Sequence, residues 1–156
     1  MMRTTPGGAS LLSLLLAITG IEGSRAQLVI NEIMYHPAHN EGEVEPTEEE
    51  YLEIYNASAS STVSLAAYAL NDGVDFTFPV LDLPPGGFVV VAADPTAFAT
   101  KYPGVTAPVV GPWTGQLSNS GERIRLMDAV GEQVDELTYS DQGDWADRRR
   151  GPMDEG

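Results

Sequence analysis

Residues 50–56 read Glu-Tyr-Leu-Glu-Ile-Tyr-Asn (EYLEIYN), and the fold turns on how that stretch is read. Leu52 and Ile54 alternate with Glu53 and Tyr55. In an extended chain, successive side chains point to opposite faces, so this pattern predicts a strand with one buried face. Residues 123–127 (RIRLM) repeat it, with Arg123 and Arg125 directed outward and Ile124 and Leu126 inward. Two such strands far apart in the chain call for a shared apolar interior, as antiparallel sheets with one wet face require.

Working outward, the chain between residues 27 and 140 breaks into short apolar segments separated by turn residues, the pattern of an all-β sandwich or barrel. Strands are predicted at Leu28–Tyr35, Glu50–Asn56, Thr62–Leu70 and Val74–Phe78, with Asn71-Asp72-Gly73 closing a turn between the last two. After Leu83-Pro84-Pro85-Gly86-Gly87, the wholly apolar run Phe88–Ala92 (FVVVA) suits a central strand covered on both faces. Asp94-Pro95 has the chemistry of an N-cap followed by proline at the first helical position, which predicts one short helix over 95–102, ended by Pro103-Gly104. Residues 108–120 read as loop. Gln133–Tyr139 returns antiparallel to 123–127 after a turn at Ala129–Gly131, and the three-residue spacing of Val134 and Leu137 demands a β-bulge.

The first 26 residues carry a different signal. Arg3 and the amino terminus supply positive charge, Leu11–Ile18 (LLSLLLAI) is an apolar core, and Ser24-Arg25-Ala26 places small residues at a cleavage site. That is the three-part layout of a secretory signal peptide, and the apolar run is too short for the roughly 20 residues of a membrane span. A leader over 1–26, a sandwich domain over 27–140 and a loop-like end over 141–156 are therefore expected. The processed chain would be exported to the cell surface or beyond, without stable membrane insertion.

The full chain has a formal net charge of −15, with eight basic and 23 acidic residues. Removing Arg3, Glu22 and Arg25 with the leader leaves six basic against 22 acidic residues, and three of the six are Arg148, Arg149 and Arg150. A body this acidic repels phosphate backbones, since nucleic-acid affinity rests on cations that displace counter-ions. No nucleic-acid partner is expected, and the arginine triplet beside Trp145 is read as a turn paired with the acidic body. With no cysteine, there is neither a disulfide nor a thiolate nucleophile, so the fold must rest on its core.

Motifs for chemistry are weak. His36 and His39 lie three apart on a proline-stiffened loop and match no ligand signature, so they are read as solvated. Glu41–Glu53 carries seven carboxylates in 13 residues but lacks the spacing that folds a calcium loop, so it too is read as a solvated run. There is no nucleophile elbow, P-loop or dinucleotide fingerprint. Asn56-Ala57-Ser58 fits the short N-glycosylation pattern. Trp113 and Trp145 are expected to pack over the ends of the sandwich. No catalytic, cofactor-binding or metal-binding residue is assigned.

Ordered blocks of the sequence carry a resemblance. They are Ile30–Tyr35 (INEIMY), Glu50–Asn56 (EYLEIYN), Val74–Pro79 (VDFTFP), Leu83–Val91 (LPPGGFVVV), Gly111–Trp113 with Leu117–Glu122 (GPW, LSNSGE), and Val134–Tyr139 (VDELTY). In that order they resemble the lamin-tail domain family, specifically its bacterial members. The resemblance implies an immunoglobulin-like antiparallel β-sandwich without catalytic residues or cofactor. It also implies a binding or scaffolding role toward a protein or a cell-surface glycan, as an accessory module of a larger exported protein. Two alternatives accompany it: the targeting and scaffold end of an exported enzyme of the spore-coat kinase-like type, whose catalytic domain would lie beyond residue 156, and a calcium-dependent adhesion module. Tyr68 stands where many members carry tryptophan, and members usually add a strand after the tryptophan-containing loop. The expectation is therefore an N-terminal fragment lacking its last strand, with an unpaired edge at Gln133–Tyr139 open to strand addition.

Overall fold

The computed structural model describes residues 28–142. The expected leader, Trp145 and the arginine triplet lie outside those residues. Eleven strands and one helix follow in chain order: β1 (Leu28–Met34), β2 (Tyr51–Asn56), β3 (Val63–Ser64), β4 (Ala69–Asn71), β5 (Val74–Thr77), β6 (Asp82–Leu83), β7 (Phe88–Ala92), α1 (Pro95–Lys101), β8 (Val109–Val110), β9 (Thr114–Gly115), β10 (Glu122–Met127) and β11 (Gln133–Tyr139). A four-stranded sheet runs β1-β2-β7-β8, a five-stranded sheet runs β11-β10-β4-β5-β9, and β3 pairs with β6 in a small ribbon. All pairs are antiparallel except β7 with β8.

Both alternating stretches face one interior. Leu52 and Ile54 from one sheet and Ile124 and Leu126 from the other are fully buried in a single cluster with Leu65, Leu70 and Val89. The expected all-β, immunoglobulin-like sandwich with one short helix is the architecture seen.

The apolar run β7 is covered on both faces, as its composition predicted. Val89 and Val91 enter the main core. Val90 and Ala92 face the other way and pack with Tyr51 and Phe98 of α1. The helix forms where expected because Asp94 accepts hydrogen bonds from the Thr96 and Ala97 amides at 2.7 and 3.3 Å, satisfying two donors that a helix start leaves open. It packs its one buried residue, Phe98, edge-on to Tyr51 at 5.1 Å between ring centres.

Three expectations are corrected. Thr62–Leu70 is not one strand: β3 and β4 belong to different sheets, and the chain reverses between them with Ala67 at φ +62°. Residues 108–120 are not all loop, since β8 and β9 extend one sheet each. Residues 36–49, where no helix or strand is predicted, include a 3₁₀ turn at Thr47–Glu49. The predicted turn at Asn71–Gly73 and the predicted bulge both occur. Asp72 and Gly73 take φ of +61° and +70°. Leu126 pairs with Asp135 and Met127 with Gln133, leaving Val134 as the extra residue.

Within the described residues β11 ends its sheet. Its bulge lies against β1 of the other sheet, where the Ile30 amide donates to the Asp135 carboxylate at 2.7 Å. The register of β1 itself shifts between Ile30 and Glu32, so two irregular strand edges meet at this seam.

Candidate binding end of the sandwich

Strand β2 and the residue before it place four side chains toward the interior at every second position: Glu50, Leu52, Ile54 and Asn56 are each 1 % exposed or less. The two apolar ones fill the core, and the two polar ones reach the loops at opposite ends of the sandwich.

Asn56 closes one end. Its Nδ2 donates to the carbonyls of Ser61 at 2.9 Å, Leu83 at 2.9 Å and Pro84 at 3.1 Å, while Oδ1 accepts from the Ser58 amide at 3.0 Å. The glycosylation pattern at 56–58 is therefore a structural corner. Fully buried and donating to three carbonyls, Nδ2 has no room for a sugar in the folded domain.

Glu50 sits at the other end in a different state. Its Oε2 accepts from the Leu117 amide at 3.1 Å, but Oε1 is buried without a hydrogen-bond partner. Desolvation pushes its carboxyl up to about 7, and nearby Glu45 and Glu122 add to the rise against the opposing Leu117 bond. Around it, residues 116–121 are tied down by further carboxylates. Glu122 Oε1 accepts from the Ser118 amide at 2.7 Å, and the Asn119 side-chain amide donates to Glu45. The Tyr139 hydroxyl lies 2.8 Å from the Ser118 carbonyl and 2.9 Å from Glu122 Oε1. Burial and the Glu122 charge both raise the Tyr139 phenol, which stays neutral.

Gly73 makes room for this arrangement, since a Cβ there would come within 2.9 Å of the Glu122 carboxyl carbon. Gly121 is required as well: at φ +92°, an added Cβ would lie 2.5 Å from the Tyr139 carbonyl oxygen.

Next to Glu50 opens a cleft of about 220 Å³, walled by Trp113 and Ala93 with Glu48, Asp94, Thr47 and Gln116 among its lining. A second, larger hollow of about 340 Å³ lies along the 38–49 loop, bounded by His39, Glu43, Glu49 and Lys101.

The histidines are spread along that loop. His36 Nδ1 is 2.9 Å from Glu45 Oε1, and His39 Nδ1 is 3.1 Å from the Pro37 carbonyl. Among the described residues no three His, Asp or Glu side chains come together in a group able to hold a metal ion. Trp113 packs into the main core, 8 % exposed.

The three described cations are all paired. Lys101 bonds Glu49, while Arg125 and Arg123 converge on Asp72 at 2.8 and 2.9 Å. The Arg125 hydrogen bond, with Arg123 behind it, holds the Asp72 carboxyl below its usual range.

In the sequence Glu50 belongs to the acidic run Glu41–Glu53, expected to be solvated, whereas the fold buries it. Its strand phase was the signal that marked it as inward. Its partner Leu117 lies 67 residues away and left no such mark.

Two sheets closed on one core, with a capped helix on the outer face of one sheet, define a small immunoglobulin-like module. A fold of this kind is generally non-catalytic. The family model for the Lamin Tail Domain matches residues 22–141, and the chain belongs to that family. No curated protein matches the sequence.

Proposed function

We propose that this chain is an exported, non-catalytic binding module that presents the Glu50 end of its sandwich to a protein or glycan partner at the cell surface. The observation that supports this reading most is the organisation of that end. Glu45, Glu50 and Glu122 hold residues 116–121 in place, and a cleft lies beside them. A loop fixed by side chains from elsewhere in the fold presents its surface without the ordering cost that a mobile loop carries into a complex. The acidic body favours partners with a basic surface and discourages nucleic acid. Export is supported by the leader pattern of residues 1–26.

Two measurements test the reading. Residues 1–26 fused to a reporter that is active only outside the cytoplasm should give an active reporter, and an inactive one contradicts export. The fluorescently labelled chain should bind the surface of producing cells saturably, and an excess of unlabelled chain should displace it. A signal that rises linearly with concentration and resists displacement contradicts the binding role.

A further inference from the structure

The cleft beside Glu50 combines features that a merely solvated acidic surface lacks. Glu50 is 1 % exposed, lines the cleft, and has Oε1 without a partner. Glu48 and Asp94 add two carboxyl groups, Thr47 and Gln116 add polar groups, and Trp113 provides an apolar wall. A buried carboxylate without a counter-charge is costly, and a cation able to donate hydrogen bonds is what relieves it. The described cations of the chain are engaged elsewhere, with Glu49 and Asp72.

The carboxyl groups do not gather tightly enough to hold a metal ion. The favoured ligand therefore brings its own donors and an apolar stem. An alkylammonium has both: a compact head with three N–H donors, and methylenes that lie against an indole ring. A volume of about 220 Å³ takes the end of a side chain, where one water fills roughly 30 Å³.

We propose that this cleft is a receptor site for the ε-ammonium of a lysine on the partner, with Glu50 as the buried counter-charge, Glu48 and Asp94 at the rim, and Trp113 against the stem. The inference rests on the binding-module reading and names the chemistry of the partner.

The test uses the isotope-labelled full chain and n-butylammonium chloride as probe, followed by NMR at constant ionic strength. Saturable shifts are expected at the Leu117 amide and the Trp113 indole, with the Asn56 carboxamide unmoved. The isolated head group should bind with a Kd on the order of 1–10 mM, the range of a small contact without its peptide context. Glu50→Gln should weaken it at least about tenfold, and Glu48→Gln, an exposed rim change, by a smaller factor. Binding should strengthen from about pH 5 to about pH 8 as Glu50 ionises. Glu45, Glu48, Asp94 and Glu122 share the field there, and Glu50→Gln should remove most of the pH dependence.

The proposal falls if butanol or calcium chloride gives the same shifts, if butylguanidinium binds more tightly than butylammonium, or if Glu50→Gln binds as well as the parent. It also falls if alanine at Arg148, Arg149 and Arg150 alone shifts Leu117 and Trp113, which would assign the cleft to the chain's own arginines. A chain that binds cells saturably yet ignores butylammonium overturns the lysine site and leaves the module reading intact.

Discussion

Asn56 and Glu50 occupy equivalent phases of one strand, and the chemistry of their surroundings separates them. Asn56 has all its carboxamide atoms bonded within the fold, to carbonyls from two loops and to the Ser58 amide. Asn56→Ala removes those bonds and leaves buried carbonyls unpaired, so it should cost about 2–4 kcal/mol in urea unfolding. Asn56→Asp is nearly the same shape but turns an acceptor toward the carbonyls of Ser61, Leu83 and Pro84, and should be worse than alanine at neutral pH. Equal stability of Asn56→Asp and parent would contradict the role given to Nδ2. Glu50 has one oxygen bonded and one bare, and its carboxyl is raised from 4.5 to about 7, chiefly by desolvation. A group whose pKa rises on folding favours the folded state when protonated. Its contribution is complete below about pH 4.5 and is lost as pH climbs through about 7. At about 1.4 kcal/mol per pKa unit, the loss is on the order of 3–4 kcal/mol. Glu50→Gln, a neutral mimic of the protonated acid, should keep more stability than the parent at about pH 8, and the two should converge near pH 4.5. Parallel pH profiles would contradict the burial of a titrating Glu50.

Elements differ in how openly their residues announce them. β2 and β10 show clean alternation, β7 an unbroken apolar run, and α1 an acid–proline start, and all four form within a residue or two of the expected bounds. The splitting of 62–70 was hidden because the reversal falls on Ala67, which adopts positive φ without being the glycine or asparagine that signals it. β3, β6, β8 and β9 have two residues each, too short for any periodicity. The pairing of β8 with β7 is set by the path of the chain after α1. The candidate site was legible in part: phase alone turns Glu50 inward, whereas residues 116–121 reach it only through long-range folding. At this scale the helix offers a test. Asp94→Ala removes the oxygen that accepts from Thr96 and Ala97, and should lower stability by about 1 kcal/mol. Amide exchange should quicken over Pro95–Lys101 while β10 stays protected. An unchanged helix would show that packing of Phe98 holds it without the cap.

At the scale of the molecule, the described residues form two main sheets whose edges are managed differently on either side. At one side the chain itself crosses between sheets through residues 111–113, where Gly111 is required because a Cβ would lie 2.2 Å from the Ala92 carbonyl oxygen. At the other side β1 and β11 meet at irregular edges joined by Ile30 and Asp135. The interior between them is apolar, mostly aliphatic with Phe78, Trp113 and Tyr139 among it, and the buried polar residues Glu50 and Asn56 lie at its ends, which is how a domain without disulfides can hold a fixed pair of loop surfaces. The position of Glu50, of the cleft and of the closed Asn56 corner all follow from strand β2 sharing that interior with β10. Methyl NOE spectroscopy tests this most directly. Leu52 and Ile54 should join Ile124 and Leu126 in one connected network, directly or through Leu65 and Leu70. Contacts confined to each sheet, with Ile54 and Leu126 methyls exposed to a soluble relaxation agent, would contradict it.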